Sequence, residues 1–117
     1  MDLSQNDRRI DYIEFSSTDI QQTKNFYHSL FNWEFEDFGP DYTSFRDGRM
    51  SGGFAKADSV KQGGPLVVLY ASDLESIKGA IVPAGGTIVL ETVEFPGGRR
   101  FHFSDPSGNE LAIWTDQ

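Results

Sequence analysis

The 117-residue chain contains no cysteine, which excludes disulfides, thiolate-held metals, iron–sulfur clusters and cysteine nucleophiles. Positive charge is scarce: 10 Lys and Arg stand against 18 Asp and Glu, for a net charge of −8. An acidic surface repels phosphate backbones and anionic lipid headgroups, so neither nucleic acid nor a membrane is an expected partner. The longest apolar run, Leu66 to Ala71, is far too short to span a bilayer, and the segment Met1 to Arg9 is polar and carries no signal-peptide core. A soluble, cytoplasmic protein is expected.

Aromatic residues are plentiful at 14%, with 10 Phe. That exceeds what a minimal core needs and points to an apolar cavity or a subunit interface. The length suits a single domain. Residues 1–8 show no periodicity and read as a disordered tail. From Ile10 to Phe15 the alternation of side chains reads as a strand. A helix follows, capped by Thr18 or Asp19, with Ile20, Tyr27, Leu30 and Phe31 at helical spacing. Three antiparallel strands are then expected over Trp33 to Phe38, Tyr42 to Arg46 and Arg49 to Lys56, the last two joined by an Asp47-Gly48 hairpin turn.

Past a polar, glycine-rich linker over 58–64 the pattern begins again. Leu66 to Ala71 reads as a strand, Ser72 as the cap of a helix carrying Leu74, Ile77, Ile81 and Val82, and three strands follow near 87–94, 99–104 and 109–114. At a constant offset of 54, Tyr12 aligns with Leu66, Phe15 with Leu69, Asp19 with Asp73, Lys24 with Lys78 and Phe35 with Val89. The chain is therefore read as an α+β domain of two tandem βαβββ modules, 9–57 and 65–115. Each helix covers one sheet face only. The other face must enclose a ligand or a partner, so the halves form a curved, cupped mixed sheet. The glycine pairs at 52–53, 63–64, 85–86 and 97–98 read as turn or helix-end punctuation, because none carries the spacing of a phosphate or dinucleotide loop.

Asp19 with Phe26-Tyr27-His28-Ser29-Leu30-Phe31-Asn32-Trp33, and Phe95-Pro96-Gly97-Gly98-Arg99 with Phe103-Ser104-Asp105-Pro106-Ser107-Gly108-Asn109-Glu110-Leu111, resemble the vicinal-oxygen-chelate superfamily of glyoxalases, bleomycin-resistance proteins and extradiol dioxygenases. The resemblance covers residues 9–115 and implies the glyoxalase-like fold. It also implies a divalent metal, held by His, Glu or Gln from cup-facing strand positions and acting as a Lewis acid. At those positions this chain has Tyr12, seven before Asp19, Leu66, seven before Asp73, and Ala112, three after Asn109. Leu66 and Ala112 have no donor atom. No metal and no other cofactor is expected.

Two histidines remain. His28 lies on the first helix and reads as a surface or packing residue. On the strand 99–104, Phe101 and Phe103 read as core-facing, which turns Arg100 and His102 to the cup. The same parity puts Tyr12, Glu14, Leu66, Val68, Tyr70, Glu110, Ala112 and Trp114 there. A planar or carbonyl-bearing small molecule is expected between Tyr12, Tyr70, Arg100, His102 and Trp114, anionic if Arg100 dominates and cationic if Glu14 and Glu110 do.

The function expected is metal-free binding, for sequestration or delivery of a small organic ligand. One alternative is a glyoxalase-like lyase or isomerase in which Glu14, His102 or Glu110 moves a proton beside a carbonyl stabilised by Arg100 or Tyr12. Another is a structural or regulatory dimerisation module. A homodimer is expected in either case.

Overall fold

The computed structural model describes residues 3–117. The expected tail contains a single 3-10 turn, Leu3–Asn6, held by the Asp7 amide donating to the Ser4 carbonyl; Met1 and Asp2 lie outside the described residues.

The first module runs β1 (Tyr12–Ser17), α1 (Ile20–Phe31), β2 (Glu34–Asp37), β3 (Tyr42–Arg46) and β4 (Ser51–Lys56). The second runs β5 (Val67–Tyr70), α2 (Leu74–Ile81), β6 (Thr87–Phe95), β7 (Gly98–Ser104) and β8 (Glu110–Thr115). Each module builds its own four-stranded mixed sheet, in the orders β1-β4-β3-β2 and β5-β8-β7-β6. The first strand pairs in parallel with the last, as a helical crossover requires, and the remaining pairs are antiparallel. The cup is thus two open sheets.

The repeat extends to the helix caps. Asp19 accepts a hydrogen bond from the Gln22 amide at 3.0 Å, and Asp73 accepts one from the Ser76 amide at 3.1 Å. Asp73, not the expected Ser72, caps α2, because a carboxylate one residue later reaches the third amide of the first turn. Asn32 ends α1 in the left-handed region at φ 63.

Two turn readings change. Asp47 folds its carboxylate back onto the amides of Arg49 and Met50, at 2.8 and 2.6 Å. The Asp47 amide also donates to the Met50 carbonyl at 3.1 Å, so the turn is centred on Gly48 and Arg49, one residue later than expected, and β4 begins at Ser51. Gly52 and Gly53 are not punctuation but lie inside β4. A Cβ on Gly52 would run into the Ile13 carbonyl and the Phe45 ring, so this strand position is reserved for a residue without a side chain.

One aromatic core joins the halves. Tyr27 of α1 stacks on Trp33 with centroids 4.6 Å apart and meets Phe54 of the first sheet at 5.2 Å, while Phe26 and Phe31 each meet Phe103 of the second sheet at 6.1 Å. Phe101, Phe103, Leu111 and Ile113 are buried, as strand alternation requires. Each such side chain withdrawn from water contributes about 1.5–3 kcal/mol.

The β7–β8 turn supplies the polar counterpart. Asp105 Oδ1 accepts from the amides of Ser107, Gly108 and Asn109, and Oδ2 accepts from the Tyr27 hydroxyl and Asn109 Nδ2, both at 2.9 Å. Asn109 Nδ2 also donates to the Ser16 carbonyl at 2.7 Å, and the Thr18 amide donates to Ser107 Oγ at 3.0 Å. The motif that looks like an ordinary hairpin turn pins the second module onto β1 and α1 of the first. Burial, followed by the charge and hydrogen bond of Asp105, holds the Tyr27 phenol pKa well above its ordinary value.

Candidate functional site

Between β1 of one sheet and β5 and β8 of the other lies a cavity of about 970 Å³. Six of the ten cup residues expected from strand parity line it: Tyr12, Glu14, Leu66, Val68, His102 and Glu110. The linker contributes Val60 to Gly64, which composition alone marks only as a connection, and Ile10, Ser16, Pro65 and Asn109 are among the other lining residues. Ile10, Leu66 and Val68 are exposed apolar side chains here, so the cavity offers an organic molecule hydrocarbon surface as well as polar groups.

Tyr70, Arg100, Ala112 and Trp114 share that sheet face but do not line the cavity. Strand parity fixes the face and not the distance along it. Tyr70 lies two residues beyond Val68, and Arg100 and Trp114 are paired at that same level, about 7 Å further along the strands. Ala112 sits between Val68 and His102 in the sheet and is fully buried. Tyr70 and Trp114 pack edge to face at 5.3 Å, and the Tyr70 hydroxyl donates to Asp116 at 2.6 Å, which lowers the Asp116 carboxyl pKa. The Arg100 guanidinium lies 6.0 Å from the Phe95 ring centre, and its buried Nε has no hydrogen-bond partner among the described residues. The expected cavity cation is therefore part of a second, aromatic cluster.

Polar groups in the cavity fall into two sets. His102, only 9% exposed, has Nδ1 2.8 Å from Glu110 Oε2. A carboxylate accepts, so Nδ1 carries the hydrogen, and the buried Nε2 has no partner. On the first sheet the Tyr42 hydroxyl donates to Glu14 Oε1 at 2.9 Å and lies 2.5 Å from the Tyr12 hydroxyl. The two phenol rings meet above Gly53, where a Cβ would run into both hydroxyls. Burial, then the hydrogen bonds to Tyr12 and Glu14, raise the Tyr42 pKa, so this phenol keeps its proton. Tyr42 was not legible as a site residue, although a glycine inside a strand is a known sign of close approach.

His28 is exposed on α1, with Nδ1 3.0 Å from the Trp33 carbonyl, away from the cavity. A metal fits poorly. Tyr12, Leu66 and Ala112 offer one oxygen and two hydrocarbons, and among the described residues no three His, Cys, Asp or Glu side chains converge. The one imidazole at the cavity already spends a nitrogen on Glu110. Among the described residues no helix is long and apolar enough to cross a membrane.

A family model described as the Glyoxalase/Bleomycin resistance protein/Dioxygenase superfamily matches residues 9–113. Among solved structures, a glyoxalase/bleomycin resistance protein/dioxygenase family enzyme from Burkholderia phytofirmans PsJN superposes with a TM-score of 0.80 at 17% identity, covering 92% of this chain and 100% of that one. A lactoylglutathione lyase from Agrobacterium tumefaciens gives 0.72 at 18%, covering 92% and 93%. The fosfomycin resistance protein FosX from Mesorhizobium loti gives 0.77 at 11%, covering 92% of each chain. At these identities the likeness is one of fold. No curated protein matches the sequence.

Proposed function

Since the chain belongs to the glyoxalase/bleomycin resistance protein/dioxygenase superfamily, we propose that it is a metal-free binding protein which holds a small organic molecule in the cavity between its two modules. The observation that carries this reading is the roughly 970 Å³ cavity, with apolar walls and polar groups of both modules converging on it, while two of the three positions that hold the family's metal are Leu66 and Ala112. Binding, for sequestration or delivery, needs only that surface and those hydrogen-bonding groups.

The His102–Glu110 pair favours one further reading, a glyoxalase-like lyase or isomerase, because an imidazole whose Nδ1 hydrogen is held by a carboxylate keeps the Nε2 lone pair for a proton, although Nε2 is buried here. Proton abstraction beside a carbonyl also calls for donors aimed at the developing oxyanion. Arg100 lies outside the cavity, and the Tyr12 proton is turned toward Tyr42, so the donor half of that machinery is weak here.

The test is a thermal-shift screen of small organic fragments with and without chelator, run beside a methylglyoxal–glutathione turnover assay. Stabilisation that survives chelation, with no turnover, is the expected result. Turnover that depends on added divalent metal would overturn the binding reading in favour of the lyase. No response to any fragment would favour the structural module. The homodimer belongs to the same proposal: Tyr70, Leu90, Val93 and Phe95 are exposed on the second sheet, an apolar patch of the kind a second copy covers. Sedimentation showing only monomer at micromolar concentration would remove it.

A further inference from the structure

The polar groups of the cavity can be sorted by whether they have a hydrogen to give. Tyr42 has one hydroxyl hydrogen and donates it to Glu14 Oε1. The hydrogen between the two phenols must therefore come from Tyr12, which leaves the Tyr12 oxygen only lone pairs for the cavity. Glu14 and Glu110 are acceptors. His102 gives its Nδ1 hydrogen to Glu110, and its buried Nε2 is left as an unpartnered acceptor. Asn109 spends both Nδ2 hydrogens, on the Ser16 carbonyl and on Asp105, and Gln62 Nε2 donates to the Gly108 carbonyl. Among the described lining side chains Ser16, Lys61 and the second Nε2 hydrogen of Gln62 remain as donors, and the single charge of Lys61, exposed like Glu14 and Glu110, stands against two carboxylates.

We infer that the cavity selects a small organic cation, a protonated amine with an apolar body, and that Tyr42 sets this preference as a positioning residue outside the cavity. This rests on the binding reading above and names the ligand class for the same site. An ammonium group supplies three hydrogens and a positive charge to a wall of lone pairs and two carboxylates. A carboxylate ligand would face those lone pairs without hydrogens to offer, and the acceptors it displaced from water would be left unpaired. The apolar body finds Ile10, Leu66 and Val68. Tyr42 acts at one remove: by taking the Tyr12 hydrogen and giving its own to Glu14, it keeps Tyr12 from presenting a donor. Gly53 makes this possible because any side chain there would separate the two hydroxyls.

The test uses the full-length, chelator-treated protein and three probes that share one ring: benzylamine, benzyl alcohol and benzoate. Amide chemical shifts are followed during titration at near-neutral pH. Benzylamine is expected to move the amides of Glu14, Val68, His102 and Glu110 and to bind at least about tenfold more tightly than either other probe. Glu14→Gln and Glu110→Gln, isosteric and checked for unchanged melting temperature, should each reduce that preference several-fold. Tyr42→Phe frees the Tyr12 hydrogen and should shrink the ratio of benzylamine to benzyl alcohol affinity, a change that simple loosening of the site would not produce. Benzoate binding as tightly as benzylamine, or a Tyr42→Phe ratio equal to wild type, would overturn the inference. Silence from all three probes would also overturn it; neutral fragments that still shift these amides would leave the binding reading standing, and silence there too would remove both.

Discussion

Asp105→Asn changes one oxygen for an NH₂ group at the point where the modules are pinned. The substitution keeps Oδ1, and with it the three amide bonds from Ser107, Gly108 and Asn109. At the Oδ2 position it places donors against two donors, the Tyr27 hydroxyl and Asn109 Nδ2. The hydroxyl can rotate and accept, but the Asn109 amide cannot without abandoning its bond to the Ser16 carbonyl. One buried hydrogen bond to a charged acceptor is lost and the others become neutral. Such bonds contribute about 1.5–3 kcal/mol each, so the expected loss is about 3 kcal/mol. For a domain of this size that corresponds to a melting temperature lower by roughly 10–15 °C. Urea unfolding followed by near-UV circular dichroism reads it, because Tyr27 stacks on the buried Trp33. A loss below about 1 kcal/mol would refute the claim that the Asp105 carboxylate is what secures this turn between the modules.

Three further outcomes follow from the same structure. Tyr27 has its pKa raised above the ordinary 10.0, so it favours the fold fully below about pH 10 and that contribution is lost as pH rises toward the folded value. Alkaline unfolding should therefore begin above about pH 10, and Tyr27→Phe, though less stable at neutral pH, should resist alkali better; an unchanged alkaline midpoint would contradict this. Gly52→Ala should destabilise by about 1–3 kcal/mol because its Cβ meets backbone and the Phe45 ring, whereas Gly53→Ala displaces only two phenol tips and should cost under about 1 kcal/mol by denaturant titration. Elemental analysis of the purified protein should find no stoichiometric divalent metal, and chelator should leave the melting temperature unchanged.

How far the sequence could be read depended on what each signal encodes. Alternation along β7 assigned Phe101 and Phe103 to the core and Arg100 and His102 to the opposite face, because strand parity is a local property. The offset of 54 already related Asp19 to Asp73, and the structure uses both as caps at equivalent positions. Depth along a strand is not encoded in parity, so Tyr70, Arg100 and Trp114 were grouped with a cavity that ends before them. The role of Tyr42 depends on a neighbour across β4, which no local pattern encodes, and a Gly-Gly pair such as Gly52-Gly53 reads as punctuation as readily as close approach. The linker, polar and glycine-rich, gives no sign that Val60 to Gly64 would form a wall.

The central claim is that the cavity between the modules binds a small organic molecule without metal. A fragment titration of isotopically labelled, chelator-treated protein, followed by amide chemical shifts, tests it most directly. Saturable shifts are expected at Glu14, Val68, His102 and Glu110, unaffected by adding back zinc or manganese. Shifts confined to the Tyr70–Trp114 cluster, or shifts in the cavity that occur only once metal is restored, would contradict it.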